Sequence, residues 1–323
     1  MSQPLTRALS CVTIAAADPA ALVRIVRDGM GWEVCAEGAI DGTLAAAWGI
    51  AAGSAGDRFT LLRSRGSDRG MIRITGGRDR WPSRPIGARW SGAEIVVMED
   101  IDGLCDRLAA IADFKLAKRP RNADFTDAGA NVHRFFYGRA PGGTHLMFTM
   151  AVTRARDYDF PAAVAPVGYI FAAPLVTAEF PRARRFYREA LGMVPILEAS
   201  MTEGLWHESW NLPAGTHVDL EILRGDAPGI GLGHIELQGY PASWIDPAPR
   251  SEQQFDGGSS LVTYTAVDID AAHAAVGAWP GVKVLGDGPR PVSAPPYDGS
   301  RVFSFLAPTG ERVELAERFL PAA

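Results

Sequence analysis

The chain repeats itself, and this constrains its fold more than anything else in it, because a recurring unit buries its apolar face by packing against its copies. DPAALVRIVRDGMGW, beginning at Asp18, aligns without gaps on EFPRARRFYREALGM, beginning at Glu179; Arg24 falls on Arg185, Arg27 on Arg188 and Gly31 on Gly192. With small gaps the match runs on: AWGIAAG (Trp48, Ala52, Gly53) falls on SWNLPAG (Trp210, Ala214, Gly215), LLR ending at Arg63 on ILR ending at Arg224, and GMIRITGG on GHIELQG. A second repeat pairs RAPGGTHLMFTM (Ala140, Pro141, Gly143) with LAPTGERVELAE (Ala307, Pro308, Gly310). The order is therefore A-B-A′-B′.

Each unit opens on an apolar strand, such as AEIVVMED or SLVTYTAVD, followed by a helix with acidic residues at its start, where the helix dipole favours them. Alternating β-branched and aromatic segments, NVHRFFYG and RVFSFLA among them, read as strands joined by Gly/Pro turns. The unit is βαβββ and the fold class is α+β. Residues 151–165 show neither periodicity and read as a linker between an N-terminal half, 1–150, and a C-terminal half, 166–323. Two further irregular stretches, 240–258 and 286–300, are long enough either to lie over a binding site or to be solvated connectors.

Composition narrows the function. A formal charge of -5, from 32 basic and 37 acidic residues with no basic stripe, argues against a nucleic-acid partner. No apolar run reaches the length that spans a bilayer, and MSQPLTRALSCVTIAAAD is interrupted by Arg7 and Asp18, so a cytoplasmic location is expected. Cys11, Cys35 and Cys105 match no zinc spacing and read as small core residues of a reducing compartment. No nucleophile elbow, phosphate-cradling loop or dinucleotide fingerprint is present, which disfavours serine hydrolase, nucleotide and NAD chemistry.

RRFYREALGM (184–193) resembles the helix-to-strand signature of vicinal oxygen chelate modules, and APTGERVELAE resembles that superfamily's last strand. The resemblance covers nearly the whole chain. It implies four βαβββ modules paired into two half-open mixed β-barrel domains, each curled around a cup, with metal ligands on first and last strands. Glu314 and Glu236 then stand at last-strand ligand positions, whereas the first-strand positions, counted back seven residues from each helix start, hold Cys11, Ala93, Ala172 and Leu261, with Glu94 one residue away. Arg73 and Met147 replace the two glutamates in the N-terminal half, which therefore reads as non-catalytic.

The candidate active site is accordingly the C-terminal half. Glu314 and Glu236 are expected to share one cup as metal ligands or general bases, with His234 as a further ligand and His234 or His207 assisting catalysis. Two carboxylates facing an apolar cup need compensation, which one divalent ion (Fe, Mn, Zn or Ni) could supply, although the cofactor could equally be absent. Trp206, Trp210, Tyr169, Tyr264 and Phe303 are candidates for the substrate wall, and His207 is placed on a cup-lining strand. The polar row His217, Asp219 and Glu221 reads as a solvated face. The expected partner is a small oxygenated or aromatic substrate, with a homodimer as the assembly, and the chemistry is of the lyase, isomerase or ring-cleaving kind. The alternative is a metal-free binding protein of the bleomycin-resistance type.

Overall fold

The computed structural model describes residues 3–54, 56–78, 86–87, 89–126, 131–153, 160–226, 233–246, 254–255 and 257–319, without the side chains of Leu205, Trp206 and Ser209. Module one comprises β1 (Thr6–Ala16), α1 (Pro19–Arg24), β2 (Glu33–Ala39), α2 (Gly42–Trp48), β3 (Arg58–Arg63) and β4 (Met71–Gly76). Module two follows with the short β5 (Arg89–Trp90), β6 (Gly92–Val97), α3 (Ile101–Ala109), β7 (Lys115–Asp124), β8 (Val132–Arg139) and β9 (His145–Ala151). Module three contains β10 (Val167–Thr177), α4 (Phe180–Arg185), β11 (Val194–Met201), α5 (Leu205–Trp210), β12 (Val218–Arg224) and β13 (His234–Gly239). Module four closes the chain with β14 (Gly258–Ala266), α6 (Ile269–Gly277), β15 (Lys283–Pro291), β16 (Arg301–Leu306) and β17 (Arg312–Ala316).

Local chemistry accounts for these boundaries. The Asp18, Asp41, Asp100 and Asp268 carboxylates each accept a backbone N–H from the first turn of the helix they precede, at 2.8–3.0 Å. The helices of modules one and three continue past α1 and α4 into a wider turn (Ile25–Gly29 and Phe186–Ala190) and reverse at Gly31 and Gly192. Both glycines have a positive φ, +76° and +65°, which a side chain would oppose. First strands are buried on both faces, as β6 and β10 are throughout, while the edge strands β7 and β11 alternate towards solvent.

The modules do not pair in chain order. One sheet runs β15-β16-β17-β14-β1-β4-β3-β2 and joins modules one and four through antiparallel β1 and β14. The other runs β11-β12-β13-β10-β6-β9-β8-β7, joins modules two and three through antiparallel β6 and β10, and carries β5 on its flank. We call their concave faces the outer-module cup and the inner-module cup. A single apolar core containing Val12 and Ile14 of β1, Ile95 of β6, Leu237 of β13 and Phe305 of β16 lies on the opposite faces, beneath the helices. The expectation that the C-terminal half closes its own cup is thereby corrected: each cup takes one module from either side of the linker.

Candidate active site

Strand register shows which side chains meet at the centre of each cup. Thr13 is in register with Arg73 and Thr263 with Glu314, so these four form the centre of the outer-module cup. Glu94 is in register with Met147 and Pro174 with Glu236, which gives the equivalent four of the inner-module cup. Glu236 and Glu314, expected to share a site, therefore belong to different sheets and cannot ligate one ion or act on one substrate. Each has instead met the electrostatic problem of a buried carboxylate in its own way.

In the outer-module cup the answer is a guanidinium. Arg73 Nη2 lies 3.4 Å from Glu314 Oε1, and both residues are 0% exposed. Thr263 Oγ1 (2.8 Å) and Tyr297 Oη (2.7 Å) donate to the same carboxylate oxygen, while Trp48 Nε1 donates to the other at 2.7 Å. Arg73 Nε donates to Thr13, Nη1 donates to Tyr297, and the guanidinium carbon lies 4.5 Å from the Trp48 ring centroid, where the ring quadrupole adds attraction. Burial opposes the charge on Arg73, but Tyr297, Glu314 and Cys11 together hold it firmly protonated. Phe255, from the 240–258 stretch, and Tyr297, from the 286–300 stretch, pack with Trp48, Phe59 and Phe319 and fill the space. Among the described residues, both irregular stretches thus contribute an aromatic side chain to the filling of this cup.

In the inner-module cup the answer is a proton. Glu94 and Glu236 lie within hydrogen-bonding reach of each other. Thr149 Oγ1 donates to Glu94 at 2.5 Å and Gln238 Nε2 donates to Glu236 at 2.6 Å. Burial raises both carboxyls, and the neighbouring Glu236 charge pushes Glu94 further, well above the ordinary carboxylate range, so the pair holds a shared proton between them. The nearby histidines bring no charge to offset the pair: burial depresses His133 to about 4, and burial with Arg139 depresses His145 to about 3. Glu94 is 9% and Glu236 5% exposed, against 0% for Arg73 and Glu314, so both centres are buried and the inner-module one is the less completely enclosed.

The walls of the inner-module cup are aromatic. Tyr169, Phe171 and Phe160 close one end, with Phe160 4.8 Å from the His133 ring and 5.4 Å from Phe171. At the other end Trp210 stacks on His145 at 4.8 Å and tilts against Tyr137 at 5.1 Å. Trp210 arrives on α5, a lid helix tied to the partner module by Lys118 Nζ on the Glu208 carbonyl (2.5 Å) and by an Arg121–Glu208 ion pair. It is the counterpart of α2, whose Trp48 closes the outer-module cup.

Several expected site residues lie elsewhere. His207 is on α5, not on a strand, and its Nε2 meets the Thr216 carbonyl at 2.6 Å, which makes it a fastening of the lid. His234 is buried on β13 in register with Ala172, edge-on to Phe171 at 5.6 Å, near Glu236 but on the other sheet from Glu314. Tyr264 and Phe303 point away from the cups into the helix-covered core, Phe303 against His273 of α6 at 5.1 Å; their strand neighbours Thr263 and Ser304 take the inward positions. The Trp206 side chain lies outside the described residues. Tyr169 and Trp210 lie at the inner-module cup. In the polar row, His217 and Asp219 are solvated and share Ser200, whereas Glu221 is buried and paired with Arg184 and Arg188.

Counting back from helix starts missed Glu94 for a definable reason. Five residues separate the central first-strand position from the helix-capping residue in three modules (Thr13 to Asp18, Pro174 to Glu179, Thr263 to Asp268), but six separate Glu94 from Asp100. The extra residue is absorbed where Asp100 adopts a left-handed conformation, φ 48°.

Neither centre offers a set that suits a divalent metal. The outer-module four include a guanidinium, and the inner-module four are two carboxylates, a thioether and a proline, short of the mixed N/O set such ions take. Among the described residues no group of three His, Cys, Asp or Glu side chains converges as a metal site. None of the helices among those residues is long and apolar enough to cross a membrane.

The shared proton makes a prediction for stability. Glu94 binds its proton more tightly folded than unfolded, so its contribution is fully present below the unfolded carboxylate pKa and is lost as pH rises through the higher folded value. Glu94→Gln removes that dependence. Urea midpoints should show the variant gaining on the parent between pH 5 and pH 8; a parallel pair of pH curves would refute the shared proton.

No protein-family model and no curated protein sequence matches the chain. Solved structures do. Glyoxalase I from Zea mays superposes with a TM-score of 0.63 at 15% identity, over 97% of this chain and 92% of that one. A provisionally named dioxygenase from Bacillus subtilis subsp. subtilis str. 168 superposes with a TM-score of 0.61 at 12% identity, over 98% and 86%. Identities this low speak for architecture alone. Together with four βαβββ modules paired about two antiparallel first-strand seams, they show that the chain has the fold of the vicinal oxygen chelate superfamily.

Proposed function

We propose that the protein is an enzyme whose active site is the inner-module cup, where Glu94 serves as general acid and Glu236 as general base on a small, oxygenated, partly aromatic molecule. The observation that carries this reading is the contrast between the cups: the same central positions hold a fully enclosed Arg73–Glu314 pair in one and two facing carboxyls with no cationic partner, slightly less enclosed, in the other. Two carboxyl groups in different protonation states can remove a proton from one atom of a substrate while delivering one to another. That supports isomerase or lyase chemistry, with Tyr169, Tyr137 and Trp210 as the aromatic wall.

The test is hydrogen exchange. Incubation in D2O with a panel of enolisable aromatic and aliphatic ketones and hydroxyketones should produce at least one compound that gains carbon-bound deuterium, and Glu236→Gln should lose this activity. The aromatic walls also favour a second reading, sequestration; compounds that bind without exchange or turnover would support it. Elemental analysis covers the metal-centred alternative: near-stoichiometric Fe, Mn, Zn or Ni that disappears in Glu236→Gln and persists in Glu314→Gln would replace the shared proton with an ion.

A further inference from the structure

The Glu94–Glu236 pair is asymmetric in its support. Glu94 receives the Thr149 hydroxyl, a short contact within its own module. Glu236 stands at the end of a longer chain in which every donor points towards it. Gln238 Nε2 donates to Glu236 Oε1 at 2.6 Å, Tyr240 Oη donates to Gln238 Oε1 at 2.9 Å, and the Trp210 indole N–H lies in hydrogen-bonding reach of the Tyr240 oxygen. Direction is dictated by chemistry. An indole nitrogen can only donate, so the tyrosine hydroxyl hydrogen is free for Gln238, whose amide oxygen is thereby occupied and whose NH2 must face the carboxylate. Burial keeps the Tyr240 phenol protonated, so it remains a donor.

The outer-module cup shows the same tryptophan in a shorter version. Trp48, which aligns with Trp210 on the equivalent lid helix, donates straight to Glu314. In the inner-module cup Gln238 and Tyr240 are interposed, and the lid reaches its glutamate only through them. We propose that Trp210, Tyr240 and Gln238 are positioning residues: a directional relay through which the seating of α5 over the cup keeps Glu236 ionised and aimed, so that the base is set when the lid is down. Their role rests on the acid–base reading of the pair, and their test reads the pair directly without needing the substrate.

The full-length protein, labelled with glutamate enriched in 13C at the side-chain carboxyl, would be titrated by NMR, with Glu94→Gln and Glu236→Gln assigning the two signals. Tyr240→Phe keeps the ring and removes the hydroxyl; it should raise the pH at which Glu236 takes up a proton by about 0.5–1 unit, the size expected for one lost hydrogen bond. Trp210→Phe should shift it in the same direction by less, and Gln238→Leu by more. Phe171→Leu, a wall residue outside the relay, should leave it where it was. Unshifted Glu236 titrations in Tyr240→Phe and Trp210→Phe, beside a clear shift in Gln238→Leu, would end the relay at Gln238 and overturn the link to the lid while preserving the pair. If both carboxyls of the parent protein titrate independently in the ordinary carboxylate range, the acid–base pair fails and the relay fails with it. Amide spectra of each variant establish that it is folded.

Discussion

Glu314→Gln is expected to cost the protein about 3–5 kcal/mol of folding stability, the penalty for leaving a buried charge without its partner. Arg73 cannot give up its proton or reach water: it is 0% exposed and enclosed by Trp48, Tyr297 and Phe319. A neutral amide can still accept from Tyr297 and Thr263 through its one oxygen, but it sets an NH2 against the Trp48 indole N–H and no longer balances the guanidinium. Arg73→Met should be comparably costly, because it leaves the carboxylate buried among neutral donors. The double variant Arg73→Met/Glu314→Gln should recover much of the loss, since paired removal of a buried ion pair is often close to neutral. Urea unfolding of the four proteins closes the cycle. Single substitutions that cost less than about 0.5 kcal/mol would show that the pair is not sequestered as described.

Glu236→Gln is the counterpart in function. Loss of a general base typically reduces turnover by about 10²–10⁴-fold, and this variant should show a loss of that size in deuterium exchange while remaining folded, because its carbonyl oxygen can still accept from Gln238 and Glu94. Activity in the parent requires one proton on the pair, so the pH profile should be bell-shaped and its high-pH limb should lie above the ordinary carboxylate range, where Glu94 finally ionises. Glu314→Gln, assayed below its unfolding transition, should retain exchange activity. If Glu314→Gln abolished exchange and Glu236→Gln spared it, the active site would be the other cup.

Much of this architecture is legible in the residues. The gapless match of 18–32 on 179–193 and the Ala-Pro-Gly repeat before the last strands point to four units, and the spacing of apolar residues within each points to βαβββ. Glu236 is legible for the same reason, since last strands align without gaps. Other parts of the site are hidden by single-residue effects. Six residues instead of five before Asp100 conceal the equivalence of Glu94 with Thr13. Tyr264 and Phe303 look like wall residues by composition, yet each sits one position from the inward-facing residue, and on a strand one position reverses the face.

What the amino-acid order determined by itself is the module: where each strand and helix begins, and which glutamates occupy last-strand positions. That information is local, carried by capping aspartates, turn glycines and the alternation of apolar residues. What only the tertiary structure decided is which modules share a sheet, and hence that Glu236 meets Glu94 while Glu314 meets Arg73. First strands buried on both faces carry no alternation to distinguish one partner from another, so their pairing is settled by packing across the whole core. The electrostatic consequence, a proton in one cup and a guanidinium in the other, follows from that choice alone.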